Sequence, residues 1–494
     1  MTGSRRTRGL TGPVLVVAGL TLLGAFLRFS TLGLQSFWFD ESVTADLLHR
    51  GLGDMLGEIP DSESAPPVYY VLAWGWTHVF GDSDVGIRSL SALAGTITIP
   101  VVYAAGARLI SVRAGLIAAA ICAVHPYLIW YSQEARAYAL LVLFTALALL
   151  CFAEALRGGG NRWLALWALS STLAFASHYF AAFVIAPQAV LLLVYVRRRP
   201  TYLALGGLAL GTLALLPLLL AQRSTGNADW ISDESARERV RMLVDYFTTG
   251  RSGWVAGWLI ALVLALSAAG IVLIAREWRR RGPRRGEIAA LVVGAAGLAI
   301  PALLAVAGLD YFWHQNLIAA LVPLTLFVAT GLAEGRPRWL GAGAAAAATL
   351  VLAGVTLATT YNESSLHRDD FEDAADAIGP AAGARAVIVI PDWCDITLKR
   401  YMPQLHNMPE SGVRVTEIAV VATTENHGCV RTGIPSSPPP PVAGFTRAGA
   451  EQTQNVLVLR FRSDRPRLAV PSRLDLLYQR AWPGSVLVED ANAG

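Results

Sequence analysis

The sequence predicts a mainly α-helical, polytopic membrane protein of about eleven transmembrane helices, with interfacial helices in the first outer loop and a small α/β domain at the C-terminus. Three observations carry that prediction. The 494 residues are 54% hydrophobic and only 15% charged, and mean hydropathy is +0.47, whereas soluble domains hold about 45–50% apolar residues. The charges gather in short clusters between Leu/Ala/Val/Gly runs, as expected where hydrocarbon excludes them. From about residue 361 the long apolar runs end, and the shorter helix and strand patterns of a soluble domain begin.

Crossing the hydrocarbon core takes about 20 apolar residues. Runs of that kind fall near 12–30, 87–107, 114–130, 137–156, 163–180, 181–196, 202–221, 254–275, 287–307, 317–333 and 338–359. Residues 1–30 also fit the outline of a cleaved signal peptide, with a basic start and an apolar core. No small-x-small site follows LLGAFLRFS, so the segment is expected to stay as the first span.

Arg5, Arg6 and Arg8 precede that span. Arg108 with Arg113, Arg157 with Arg162, Arg197 to Arg199, the run Arg276 to Arg285, and Arg336 with Arg338 fill every second connection after it. The positive-inside rule assigns these segments and the N-terminus to the cytoplasm. The connections 31–86, WYSQEARAY, 222–253 and GLDYFWHQN then face outward, as does the region after an odd number of spans. Lys399 is the only lysine among the basic residues. By association rather than physics, that suits a GC-rich bacterium, and so a bacterial plasma membrane.

The first outer loop opens with SFWFDESVTADLLHRG, in which Asp40 and Glu41 stand beside Phe37, Trp38 and Phe39. Val43, Leu47 and Leu48 recur at helical spacing with Asp46, His49 and Arg50 as polar neighbours, the pattern of a helix lying on a membrane surface. Pro66 and Pro67 suit a second helix start, because proline is tolerated where backbone N–H groups have no intrahelical partner. The Tyr- and Trp-rich stretch that follows is too short to span, so it is placed as a second interfacial helix.

In the C-terminal region LHRDDFEDAADAIG reads as an amphipathic helix ending at Gly379, and ARAVIVIPD, TEIAVVATT and QNVLVLRFRS read as strands. PSSPPPP, residues 435 to 441, reads as a polyproline-like loop. The expected partition is a transmembrane domain over 1–360, the first loop included, and a soluble domain over 361–494. Cys122 and Cys151 sit in apolar runs as free thiols, while Cys394 and Cys429 fall in the outer region, where a disulfide can form if their geometry allows.

A net charge of +4 leaves no footprint for nucleic acid. The chain has no Walker loop, Gly-rich nucleotide fingerprint, Cys/His metal spacing or internal repeat, which argues against ATP-driven transport. Its chemistry must come from polar groups at the outer ends of spans. Arg136 lies between two apolar runs, flanked by Glu134 and Tyr138, and a cation there is costly unless paired or serving a cavity. Its planar fork suits phosphate. The bland alternative is an Arg136–Glu134 pair near the headgroups, just as the bland reading of Asp40-Glu41 is a solvated acidic loop. His178 and His314 also fall at outer ends of spans, where a lone histidine is more often structural than catalytic.

In their order and spacing FWFDE, APPVYY, WYSQEARAYAL and SHYF resemble the bacterial branch of the protein mannosyltransferase and aminoarabinose transferase family, over roughly residues 10 to 330. Those are membrane glycosyltransferases of the C-type fold that use polyprenyl-phosphate sugars. The resemblance implies an inverting transferase moving a mannose-like sugar or a pentose from that donor, within the membrane lipid, to a protein, lipid or polysaccharide acceptor. Asp40 would deprotonate the acceptor hydroxyl, with Glu41 supporting it or binding acceptor. Like charges side by side push one pKa upward, so either acid qualifies as the base. Arg136 would neutralise the donor phosphate. Glu134 and Tyr138 would orient that arginine or line the pocket, and Pro66, Pro67, Tyr69 and Tyr70 would shape its wall. Trp38, Tyr131, His178 and His314 complete the expected pocket.

Relatives often carry an arginine where this chain has His314 and Gln315, so a second phosphate contact is in question. Some relatives use a divalent metal. The sequence offers no dedicated cage beyond the acid pair, and the cofactor stays open. The rival reading is a transporter or flippase of lipid-linked sugars that binds the same substrate without chemistry, although the long aromatic loop and the lack of inverted repeats argue against it. A scaffold presenting the C-terminal domain is a third, but eleven spans exceed what an anchor needs.

Overall fold

The computed structural model describes residues 4–227, 229–250, 257–361, 368–424, 440–453, 455–474 and 484–490. They form two compact units, Met1–Leu32 with Arg50–Ala358, and Gly33–His49 with Thr359–Gly494.

The first unit is helical. Among the described residues eight helices are long and apolar enough to cross a membrane: Gly12–Phe29, Asp84–Leu109, Tyr138–Leu156, Arg199–Ser224, Gly257–Arg281, Arg285–Val306, His314–Glu334 and Arg338–Thr360. Val112–Val124 with Pro126–Ser132, bent by 59°, make a ninth if taken as one span. The remaining two expected segments are the shorter helices Asn161–Ser177 and Ala182–Tyr195. The expected eleven is therefore not reached by length. These two helices have only 17 and 14 residues; the first ends at His178, whose backbone is extended, φ −159 and ψ 126.

The bent pair has a specific cause. Pro126 carries no N–H, so the carbonyl of Cys122 loses its usual i+4 donor and the helix breaks. Arg28, from the first helix, supplies what the backbone lacks. Its guanidinium donates to the carbonyls of Cys122 and Ala123 at 3.1 Å each, to Gly24 O at 3.0 Å and to Ser132 Oγ at 3.1 Å. In hydrocarbon an unpaired carbonyl costs several kcal/mol, so a fully engaged buried arginine is the tolerable form of this charge. Elsewhere small residues let helices approach closely: a Cβ on Gly331 would collide with the Gly270 carbonyl of the neighbouring helix.

The connections are structured too. Leu52–Ser62 is a helix, and Val68–Phe80 is the expected helix after Pro67, leaving Val71, Leu72, Val79 and Phe80 exposed. The 222–253 connection contains a further helix, Ala236–Thr249, ended by Gly250 at φ +79, a conformation that glycine adopts without cost.

The second unit contains a mixed sheet of strands β1 (Arg385–Ile390), β2 (His406–Asn407), β3 (Val413–Thr423), β4 (Thr446–Thr453), β5 (Val456–Ala469) and β6 (Ser485–Glu489) in the order β2-β6-β1-β3-β5-β4. Only the β1–β3 pair is parallel among the described strands. Alternate residues of the central strands enter two cores. Val387, Val389, Ala419 and Val421 pack with Phe371 and Leu398, while Ala386, Ile388, Ile418 and Val420 pack with Phe445 and Phe461. That two-sided burial is why these strands read as continuous apolar runs. Helix Phe371–Ile378 starts at Asp370, whose carboxylate accepts from Asp373 N at 3.0 Å, and stops before Gly379 at φ +66.

Helix Phe39–His49, expected on the membrane surface within the transmembrane domain, belongs to the second unit and packs against helix Asp395–Tyr401. Glu41, Ser42 and Thr44 are buried along with Leu47, while Asp46 and His49 are exposed. Cys122 and Cys151 are free and buried. Cys429 and residues 435–439 of the proline run lie outside the described residues.

Candidate active site

The cluster in the first unit is organised by the break that Arg28 caps. After helix Pro126–Ser132 the chain runs through residues 133–137 before helix Tyr138–Leu156 begins. Gln133 anchors this turn by donating to Leu27 O at 3.2 Å, Arg28 O at 3.0 Å and Thr31 Oγ1 at 2.6 Å, which satisfies carbonyls at the end of the first helix. Arg136 projects from the turn, 13% exposed, and Nη1 donates to Glu63 Oε1 at 2.9 Å. The expected alternative partner, Glu134, is buried in the same turn.

Glu63 ends helix Leu52–Ser62 and precedes Pro66 and Pro67, which launch the helix bearing Tyr69 and Tyr70. Both tyrosines are fully buried, with their rings edge to face at 5.4 Å. Burial pushes the Tyr70 phenol well above its ordinary pKa, against the opposing pull of the Arg136 charge. It is therefore neutral beside the Arg136–Glu63 pair.

An aromatic wall continues from Arg136. Gln315 bridges two tyrosines, accepting from Tyr131 Oη at 3.1 Å and donating to Tyr138 Oη at 2.9 Å. The Tyr131 and Tyr138 rings meet at 4.7 Å, and His178 lies 5.3 Å from the Tyr138 ring. His314 hydrogen-bonds Tyr127 Oη at 3.0 Å and stacks on Tyr246, with centroids 3.7 Å apart and planes within 5°. The positions where relatives often carry an arginine are thus occupied by groups that tie tyrosines together.

The acid pair belongs to the second unit. Asp40 and Glu41 open helix Phe39–His49, where the helix dipole favours negative charge. Trp38 precedes the helix and its carbonyl accepts from Ser42 N at 3.0 Å. The two acids differ sharply in surroundings. Glu41 is fully buried, with Oε2 3.7 Å from Nε of Arg368, itself 3% exposed, whereas Asp40 is partly exposed. Four hydrogen bonds fasten the preceding strap to the rest of the unit. Ser36 Oγ donates to Asp369 O at 2.9 Å and accepts from Phe371 N at 3.1 Å, Arg368 N donates to Gln35 Oε1 at 2.9 Å, and Phe37 N donates to Tyr401 Oη at 2.7 Å. The Arg400 guanidinium lies 4.5 Å over the Phe37 ring.

The structure therefore brings Arg136, Tyr69, Tyr70, Tyr131, Tyr138, His178 and His314 into the first unit, and Trp38, Asp40 and Glu41 into the second. Sequence reasoning missed Glu63, Tyr246 and Arg368 altogether, and saw Gln315 only as a departure. Glu63 had a signal: the acid closest before the Pro-Pro pair. Among the described residues no three His, Cys, Asp or Glu side chains are grouped to hold a metal ion.

Residues 64–220 match the family described as dolichyl-phosphate-mannose-protein mannosyltransferase. No curated protein matches the chain by sequence. Among solved structures, ArnT from Cupriavidus metallidurans in the apo state is similar at a TM-score of 0.58 and 11% identity, covering 92% of this chain and 98% of that one. The same protein bound to undecaprenyl phosphate gives 0.56 and 12%, covering 91% and 98%. The likeness is one of fold, a multi-span helical domain with a small C-terminal sheet domain.

Proposed function

We propose that this membrane glycosyltransferase of the C-type fold transfers a sugar from a polyprenyl-phosphate donor to a hydroxyl acceptor outside the cytoplasm, with inversion at the anomeric carbon. The observation that carries the reading is Arg136, a cation held by a buried carboxylate between two apolar helices, beside a wall of tied tyrosines. The resemblance between the fold and that of a protein bound to undecaprenyl phosphate supports the donor class.

Asp40 takes the acceptor proton as the oxygen attacks the anomeric carbon, and the bond from that carbon to the donor phosphate breaks with its electron pair leaving on phosphate. Arg136 stabilises the charge that grows there, where a preorganised cation contributes most. Glu41 is fully buried beside Arg368, whereas Asp40 is partly exposed, and that exposure favours Asp40 as the acid for proton transfer. The arginine clusters support a cytoplasmic N-terminus and an outward-facing site in a bacterial plasma membrane. The acceptor is a protein, lipid or polysaccharide, and the sugar mannose-like or a pentose.

The test is turnover by the purified full chain with a panel of polyprenyl-phosphate sugars and acceptors. The reading expects a glycosylated product, loss of about 10²–10⁴-fold in rate for Asp40→Asn, and weakened donor use by Arg136→Ala. Donor that is moved across vesicles but never consumed would instead identify a transporter.

A further inference from the structure

The role of the C-terminal unit is the question the proposed function leaves unanswered. Its strands carry no group assigned to the reaction, yet it encloses the helix that bears the acid. We infer that the C-terminal unit is a clamp for the catalytic helix, and that Arg368 and Tyr401 are positioning residues for Asp40. The inference rests on Asp40 being the base.

The strap at residues 35–37 is held at successive positions, through the Gln35 side chain to Arg368 N, the Ser36 hydroxyl to Asp369 O and Phe371 N, and the Phe37 amide to Tyr401. Ser36 thereby satisfies the backbone at the start of helix Phe371–Ile378, while the strap gains a fixed register. At Phe37, three residues before Asp40, the chain has little freedom left. One residue after it, Glu41 is locked by the buried Arg368. The acid is therefore bracketed on both sides by residues of a single short segment, 368–371, together with Tyr401.

A surface loop gains little from such an arrangement. Burying an ion pair costs desolvation that its Coulomb attraction does not always recover, so Glu41–Arg368 is weakly justified by stability alone. It is well suited to fixing where the neighbouring side chain points. A displacement of about 1 Å at a reacting group costs on the order of 10²-fold in rate.

The experiment uses the full chain in lipid nanodiscs and measures kcat and donor KM separately. The double variant Arg368→Met/Glu41→Gln removes both charges of the pair and leaves neither ion buried alone, and Tyr401→Phe removes only the hydroxyl that accepts from Phe37 N. Each is expected to lower kcat, the double variant by about 10²-fold, with donor KM unchanged, and Arg368→Lys is expected to recover part of the rate. Parent kcat in both variants overturns the inference. So does a parallel loss of kcat and donor affinity, which marks a purely structural role. Asp40→Asn runs alongside. If it turns over normally, the assignment of the base itself is wrong; if it is inactive while the clamp variants are unimpaired, only the clamp fails.

Discussion

Glu63 Oε1 accepts from Arg136 Nη1 at 2.9 Å, with the carboxylate 2% exposed, so the cation assigned to donor phosphate already faces an anion of the protein's own. The pairing keeps a buried charge from standing alone and sets up an exchange of anions. Glu63→Gln removes that carboxylate, and disrupting a buried pair from one side costs about 3–5 kcal/mol. The variant is expected to melt lower than the parent when empty, and to gain more in Tm than the parent does when undecaprenyl phosphate is added. Thermal unfolding with and without the lipid measures both; equal gains in the two proteins would remove Glu63 from the phosphate site.

Gln315 ties Tyr131 to Tyr138 on either side of the Arg136 turn. Gln315→Leu takes the acceptor from the Tyr131 phenol, at about 1–3 kcal/mol for a buried group left unsatisfied, and removes the donor to Tyr138 Oη. The expected outcome is a lower Tm and a raised donor KM. Gln315→Glu keeps an acceptor for each phenol and should recover most of the stability.

Arg28→Met withdraws the donors from the carbonyls of Cys122 and Ala123 at the broken span. A loss of about 1–3 kcal/mol per carbonyl is expected, read as a fall in the denaturant midpoint. Arg28→Lys should recover only part of it, because a single ammonium cannot reproduce the geometry of the guanidinium fork.

Asp370 gives the second unit a pH dependence of definite sign. Burial, then the nearby Asp373 and Glu372 charges, push its carboxyl up to about 6, against the opposing hydrogen bond from Asp373 N. A carboxyl raised above its unfolded value favours the folded state when protonated. Its contribution is complete below the unfolded value of 3.8 and is lost as pH rises through about 6. Amides of helix Phe371–Ile378 are therefore expected to be better protected at pH 5 than at pH 7, after correction for intrinsic exchange. Asp370→Asn should abolish that difference.

The spanning helices and the central strands were legible because burial on all sides leaves uninterrupted apolar runs. Arg136 and the Asp40-Glu41 pair stood out for the converse reason: charge in apolar company is costly and needs a purpose. Glu63 and Arg368 did not stand out, because each sits in a polar stretch where an acid or an arginine is unremarked. Their partners are set by the fold; the strap contact of Ser36 with Asp369 joins positions 333 residues apart. The protein partner of helix Phe39–His49 was illegible for a related reason. A short amphipathic pattern records that one face is covered, but not whether lipid or protein covers it.

The pairing of the strap at residues 35–37 with residues 368–401 also orders events in time. A ribosome delivers the acid-bearing helix first, while Asp369 and Tyr401, which hold the strap before it, follow 333 and 364 residues after their partners. Until then the spans and the Arg136 turn can assemble, but Asp40 has no fixed address. Translation thus postpones the acid's placement, and a chain cut short before residue 368 would lack every one of these contacts.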